Sequence, residues 1–164
     1  MSIEENIKTA EEHLEAEANR ELDRLLGTLA DDSVYEESLL GKPVRGKAAI
    51  AGYYEELWKG FPDFKYEVTN RVADQSCVIY EMTFRGTHTG PFRGIPPTGR
   101  KGEIKGVVVF PMKDGKALGE RIYLDNFSLL TQLGVLPHPA SLFGRAFSSL
   151  LRLRLTLGSL ISRR

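Results

Sequence analysis

From Ile3 onward, apolar residues recur at spacings of three and four: Ile7, Ala10, Leu14, Ala18, Leu22, Leu25 and Leu29. That period lays one apolar stripe along a long first helix and turns its glutamates toward water. The helix should stop near Asp31-Asp32-Ser33, where short polar side chains offer the backbone competing hydrogen bonds, and Val34-Tyr35 reads as a brief strand. Gly41, Pro43 and Gly46 mark a turn-rich loop. Helical spacing then returns in Ile50, Tyr54, Leu57 and Phe61, which predicts a second helix from Lys47 to Gly60, closed by Pro62.

The period then changes to two. Phe64–Val72, Cys77–His88, Ile104–Met112 and Ala117–Asp125 are rich in Val, Ile, Tyr, Phe and Thr, and read as four consecutive strands. Strands that follow one another so closely pair antiparallel, and Asp114-Gly115 between the last two is a hairpin turn, because glycine reaches positive φ without steric cost. Helices first and a meander afterwards describe an α+β domain, a cone-shaped curved antiparallel sheet packed on N-terminal helices. Phe127, Leu129, Leu130 and Leu133 fit a short helix ended by Gly134 and Pro137. Beyond it, Leu142/Phe143, Ala146/Phe147 and Leu150/Leu151 repeat on one side of a basic amphipathic helix. The expected organisation is therefore a domain over 1–137 and a helical extension over 138–164.

Composition narrows the partners. Among 164 residues, 22 basic and 22 acidic side chains give zero net charge, so no bulk positive field exists to gather nucleic acid. Charge is nonetheless uneven: residues 1–37 carry twelve acids against three bases, and residues 138–164 carry five arginines and no acid. The lone Cys77 excludes an intrachain disulfide and points to a reducing cytoplasm, and the acidic start lacks the basic, then apolar, pattern of a signal peptide. His13 and His138 read as exposed, and three dispersed histidines give no metal-ligand spacing. Neither a metal nor an organic cofactor is expected.

Candidate chemistry gathers around Gly86-Thr-His-Thr-Gly90 and Gly94-Ile-Pro-Pro-Thr-Gly-Arg100, a long loop rich in glycine and proline. These segments, with Asp114-Gly-Lys116 and with Asp125 followed by Leu129-Leu-Thr-Gln-Leu-Gly134, resemble the SnoaL-like polyketide cyclases of the nuclear transport factor 2-like superfamily, over roughly residues 15–137. The resemblance implies a cone-shaped α+β barrel and a general base at Asp125. It also implies an intramolecular aldol closure of a small apolar or aromatic carbonyl compound without cofactor, and a homodimer. A carboxylate at the end of the last strand would sit inside the cone, where desolvation raises its pKa toward that of a useful base.

Strand alternation sets Arg121, Tyr123 and Asp125 on one face, with Ile122 and Leu124 on the other. Arg121 and Tyr123 are then candidate partners of the base, Arg121 having a structural ion pair with Glu81 as its alternative. His88 shares a face with Tyr80, Met82 and Phe84 and is either catalytic or scaffolding for the loop. Tyr53, Tyr54 and Trp58 on the second helix, together with Tyr80, Met82, Phe84, Phe92, Ile95 and Phe110, are the candidate substrate wall. Three functions stay open: a cofactor-independent cyclase, isomerase or dehydratase; a small-molecule-binding module in which Asp125 merely caps the final helix; and an association domain. The tail is expected to bury its stripe within the protein rather than on a membrane surface.

Overall fold

The computed structural model describes residues 2–37, 41–146 and 148–149. Helix α1 (Ile3–Asn19) opens with a capping box: the Ser2 hydroxyl accepts from the Glu5 N–H, and the Glu5 carboxylate accepts from the Ser2 N–H. It does not run on to Leu29. Arg20 adopts a left-handed conformation (φ 59°), its side chain donates to the Pro62 carbonyl, and a separate short helix α2 (Leu22–Gly27) follows. The expected long helix is thus two, and Ala18, assigned to its apolar stripe, is exposed.

The buried face of α1 is also more polar than the apolar spacing indicates. Asn6, Ala10, His13, Leu14 and Glu17 all lie against the interior. The reading of His13 as exposed and of every glutamate as facing water is therefore corrected. A helix face can bury polar groups where the opposing elements supply hydrogen-bond partners, and here they do for Asn6 and His13.

Strand β1 (Leu29–Glu37) starts at Leu29, five residues before the expected Val34. After the short β2 (Val44–Arg45) comes α3 (Lys47–Gly60), with the limits expected from sequence. The meander follows as β3 (Lys65–Ala73), β4 (Cys77–Thr87), β5 (Lys101–Lys113) and β6 (Lys116–Leu124), all antiparallel neighbours. At the last hairpin both Asp114 (φ 49°) and Gly115 (φ 73°) are left-handed, the geometry that matches strand twist.

The sheet order is β2-β1-β6-β5-β4-β3, and β1 runs parallel to β6, so the sheet is mixed rather than wholly antiparallel. Gly119 makes that parallel join possible. Its φ is 120°, and a Cβ there would stand 1.8 Å from the Val34 carbonyl oxygen. Helices and the concave face of the sheet enclose the core, in which Tyr35, Tyr54, Tyr80, Phe110 and Leu25 are almost wholly buried. Helix α4 (Asn126–Gln132) closes over β5 through Leu129, with Leu133 buried just beyond its end.

Residues 142–146 are helical, but Leu142 and Phe143 are 85% and 72% exposed. Their expected burial against the chain's own cone is not found. Phe147, Leu150 and Leu151 of the same stripe lie outside the described residues. Among the described residues no helix is long and apolar enough to cross a membrane.

Candidate functional site

A partly open cavity of about 70 Å³ lies between α1, α3, α4 and the concave face of the sheet. Its wall is mostly apolar, including Tyr35, Leu57, Phe61, Phe64, Ile104 and Ile122. Two carboxyl groups interrupt it, Glu17 from α1 and Glu37 from the end of β1, both buried. Arg85 stands at the wall with its guanidinium committed to Glu67 (3.0 Å) and Glu103 (2.7 Å).

The two acids have different surroundings. The Tyr53 hydroxyl donates to Glu37 Oε2 at 3.3 Å, and Arg93 lies 3.6 Å from the same oxygen while stacking over the Tyr53 ring at 4.6 Å. Arg93 is itself held by Glu56 at 3.0 Å. Glu17, in contrast, has no side-chain hydrogen bond among the described residues. Burial, and then the charge of Glu120, push its pKa well above the usual carboxylate range.

Glu120 belongs to a buried polar cluster. Its Oε1 accepts from the Tyr54 hydroxyl at 2.5 Å and lies 3.0 Å from His13 Nε2. His13 Nδ1 is 2.7 Å from the Thr28 hydroxyl, which donates onward to the Leu25 carbonyl at 2.6 Å. Since Thr28 spends its proton on Leu25, it accepts from His13, and Nδ1 carries a hydrogen. One further proton must lie between Nε2 and Glu120, because two bare lone pairs 3.0 Å apart would repel. His13 and Glu120 thus form a proton-sharing pair sealed in the core.

Of the residues proposed from sequence, Tyr53, Phe84 and Phe92 line the cavity. Tyr54, Tyr80, Met82 and Phe110 are core residues outside its wall, Trp58 packs half-buried on Tyr54 (5.5 Å), and Ile95 holds the loop through a backbone bridge to Phe92. His88 lies behind the wall: it stacks on Phe61 at 5.1 Å, Nδ1 is 3.2 Å from the Thr98 hydroxyl, and burial lowers its pKa. It pins the glycine- and proline-rich loop, with its backbone N–H donating to the Arg100 carbonyl.

Asp125 is not inside the cone. It is exposed and caps α4, Oδ1 accepting from the Ser128 N–H at 3.0 Å and Oδ2 from the Ser128 hydroxyl at 2.6 Å. Those bonds hold its pKa below the ordinary aspartate value, where desolvation was expected to raise it. Arg121 and Tyr123 share its outward face: Tyr123 is exposed, and Arg121 lies 3.5 Å from Glu36 rather than pairing with Glu81. The alternation was read correctly, but it turns the opposite face inward. Glu120, Ile122 and Leu124 lie on the face that this part of β6 turns to the interior. Sequence reasoning missed Glu120, although it falls on the same face as Ile122 and Leu124. It also missed Glu17, four residues after His13 on one face of α1. Among the described residues no group of three or more His, Cys, Asp or Glu is placed to hold a metal ion.

Residues 8–133 match the family model of the SnoaL-like polyketide cyclases, and the chain belongs to that family. Solved structures agree on the fold. AclR from Streptomyces galilaeus, a proposed hydroxylase, superposes with a TM-score of 0.73 at 25% identity, over 96% of this chain and 98% of its own. IdmH from Streptomyces antibioticus, a proposed polyketide cyclase, gives 0.68 at 28% identity, over 79% and 98%. An LEH-like epoxide hydrolase from M. tuberculosis gives 0.65 at 24%, over 81% and 92%. No curated protein matches the chain.

Proposed function

We propose that the chain is an acid–base enzyme of the cyclase type that works without metal or organic cofactor on a small apolar carbonyl compound. The observation that carries this reading is the pair of buried carboxyl groups, Glu17 and Glu37, in the wall of an otherwise apolar cavity. Glu37, faced by the donors of Tyr53 and Arg93, is the base: it removes a C–H proton beside a carbonyl, and the electron pair moves onto that carbonyl's oxygen. The enolate carbon then attacks a second carbonyl carbon of the same molecule. One C–C bond forms, the second carbonyl's π pair goes to its oxygen, and that oxygen takes back a proton, so no atom is lost. Apolar walls would fold the substrate toward this closure. The single, half-buried Cys77 is compatible with a cytoplasmic setting.

The test is turnover of a panel of aromatic polyketide-like dicarbonyl compounds. Glu37→Gln should lower kcat by roughly a hundredfold or more, as loss of a general base does. Asp125→Asn should stay within a few-fold of the parent, because asparagine caps a helix as well as aspartate. The opposite pattern would return the base role to Asp125, as the family resemblance implies.

A binding module is the second reading. It is favoured by the engagement of Asp125 as a helix cap, the place that reading gives it. A compound that binds but never exchanges its acidic C–H protons with solvent deuterium would support it.

A further inference from the structure

The cavity contains one carboxyl group whose environment is wrong for a base. Glu17 is buried, faces the cavity, and has no hydrogen-bond donor of its own among the described residues. The ionisable groups that share its field are Glu120 on β6, Tyr53 and Tyr54 on α3 and Tyr66 on β3; Glu37 on β1 lines the same cavity, and His13 lies on the same buried face of α1. Only His13 among these can carry positive charge, and its ring is committed to Thr28 and Glu120. The arginines near the cavity are committed too, Arg85 to Glu67 and Glu103, Arg93 to Glu56 and toward Glu37.

We propose that Glu17 is the neutral acid of this cavity, donating its carboxylic O–H to the carbonyl oxygen of the bound substrate. Glu120, clamped by His13 and Tyr54, is the positioning residue that keeps the proton on Glu17. The assignment rests on the cavity being the acid–base site. It deepens that reading by fixing the polarity: one side accepts a proton at Glu37, the other donates a hydrogen bond at Glu17. As a proton leaves the substrate carbon, charge develops on the carbonyl oxygen, and a preorganised donor in a water-poor site stabilises it there. Glu17 does not have to give up its proton for this, so no other group must restore it.

A neutral acid beside apolar and aromatic walls suits a small, mostly apolar compound whose carbonyl or enolate oxygen accepts its O–H. Burial and the field of Glu120 both oppose ionisation of Glu17, in keeping with its raised pKa. The His13–Glu120 hydrogen-bond geometry is what holds the second carboxylate in place without letting it reorient toward solvent.

Two measurements test this without turnover. Full-length protein labelled with 13C at the glutamate side-chain carboxyl carbons should give one resonance that stays protonated through neutral pH and vanishes in Glu17→Gln. Its midpoint should drop in Glu120→Gln, where the neighbouring carboxylate is gone. If every such resonance has ionised by neutral pH, or the protonated one survives in Glu17→Gln, the assignment is overturned. Binding of 4-nitrophenol, whose phenolate oxygen stands in for an enolate, is the second measurement. Parent and Glu17→Gln should bind alike because the amide N–H still donates, and Glu17→Ala should bind about tenfold or more weakly, as loss of a hydrogen bond to a charged oxygen predicts. Equal binding by Glu17→Ala overturns the donor role. Should both measurements succeed while Glu37→Gln leaves turnover unchanged, only the base assignment falls.

Discussion

At the scale of single residues, Glu17 should make stability depend on pH in an unusual direction. A carboxyl group whose pKa is raised on folding binds its proton more tightly in the native state than in the unfolded chain. Its contribution is fully present below the unfolded value of about 4.5 and is lost progressively as pH rises from there toward the folded value. Glu17→Gln removes that loss, so its urea midpoint relative to the parent should rise between acid and mildly alkaline pH. A parallel pair of curves would show that Glu17 is ionised in the folded protein. Asp125 behaves oppositely: its pKa is lowered, so its cap strengthens above the ordinary aspartate range and fails as pH falls through the folded value. Asp125→Ala should lower the Tm and Asp125→Asn should hardly move it, which thermal melts at neutral pH check directly. Little of this was legible from sequence at these positions. Periodicity registers where leucines fall, whereas the burial of His13 and Glu17 depends on Thr28, Tyr54 and Glu120, residues far away in the chain that supply their partners or their field. Asp125 drew attention because of its place before the helix, and that same place makes it a cap.

At the scale of elements, local signals were sufficient where the contacts are local. The meander, the Asp114-Gly115 hairpin and α3 follow from alternation, turn chemistry and a terminating proline, all readable within a dozen residues. The parallel pairing of β1 with β6 has no local signature, since it joins Val34–Glu37 to Gly119–Ile122 across most of the chain. Gly119 carries that pairing. A methyl group there would overlap the Val34 carbonyl at 1.8 Å in a backbone conformation L-residues avoid. Gly119→Ala should therefore cost more than about 2 kcal/mol, at the upper end of ordinary substitutions. Because Glu37 ends β1 and Glu120 follows Gly119, the same change should disturb both acids. Calorimetry reads the first effect, and the 13C carboxyl resonances read the second; an unchanged Tm would mean that β1 can shift without loss. The break at Arg20 belongs to this scale as well. The heptad-like spacing of apolar residues runs straight through it, and only the left-handed turn and the bond from Arg20 to the Pro62 carbonyl show that α2 departs on a new axis.

At the scale of the molecule, the convex face of the sheet is left open among the described residues. Val72, Ile79 and Val109 align across β3, β4 and β5 and meet Arg121 on β6, and the next row sets Glu81 beside Val107 and Tyr123. Val72 and Tyr123 are 60% and 58% exposed. A row of β-branched and aromatic side chains on an open sheet face, in a chain of zero net charge, favours self-association through a twofold axis. A homodimer through this face is the expected state, and light scattering should return about twice the 18.3 kDa chain mass. Val109→Lys places a charge in the centre of the row, where its neighbours Ile79 and Arg121 offer no carboxylate in register, so the variant should return toward the single-chain mass. Deletion of residues 139–164 is the companion measurement, because Leu142 and Phe143 are apolar, exposed and far more costly to leave in water than to cover. If that deletion dissociates the particle and Val109→Lys does not, the basic extension rather than the sheet forms the contact. If neither changes the mass and vesicles of anionic lipid retain only the full-length chain, with binding that weakens as salt rises, the extension is a membrane-surface element.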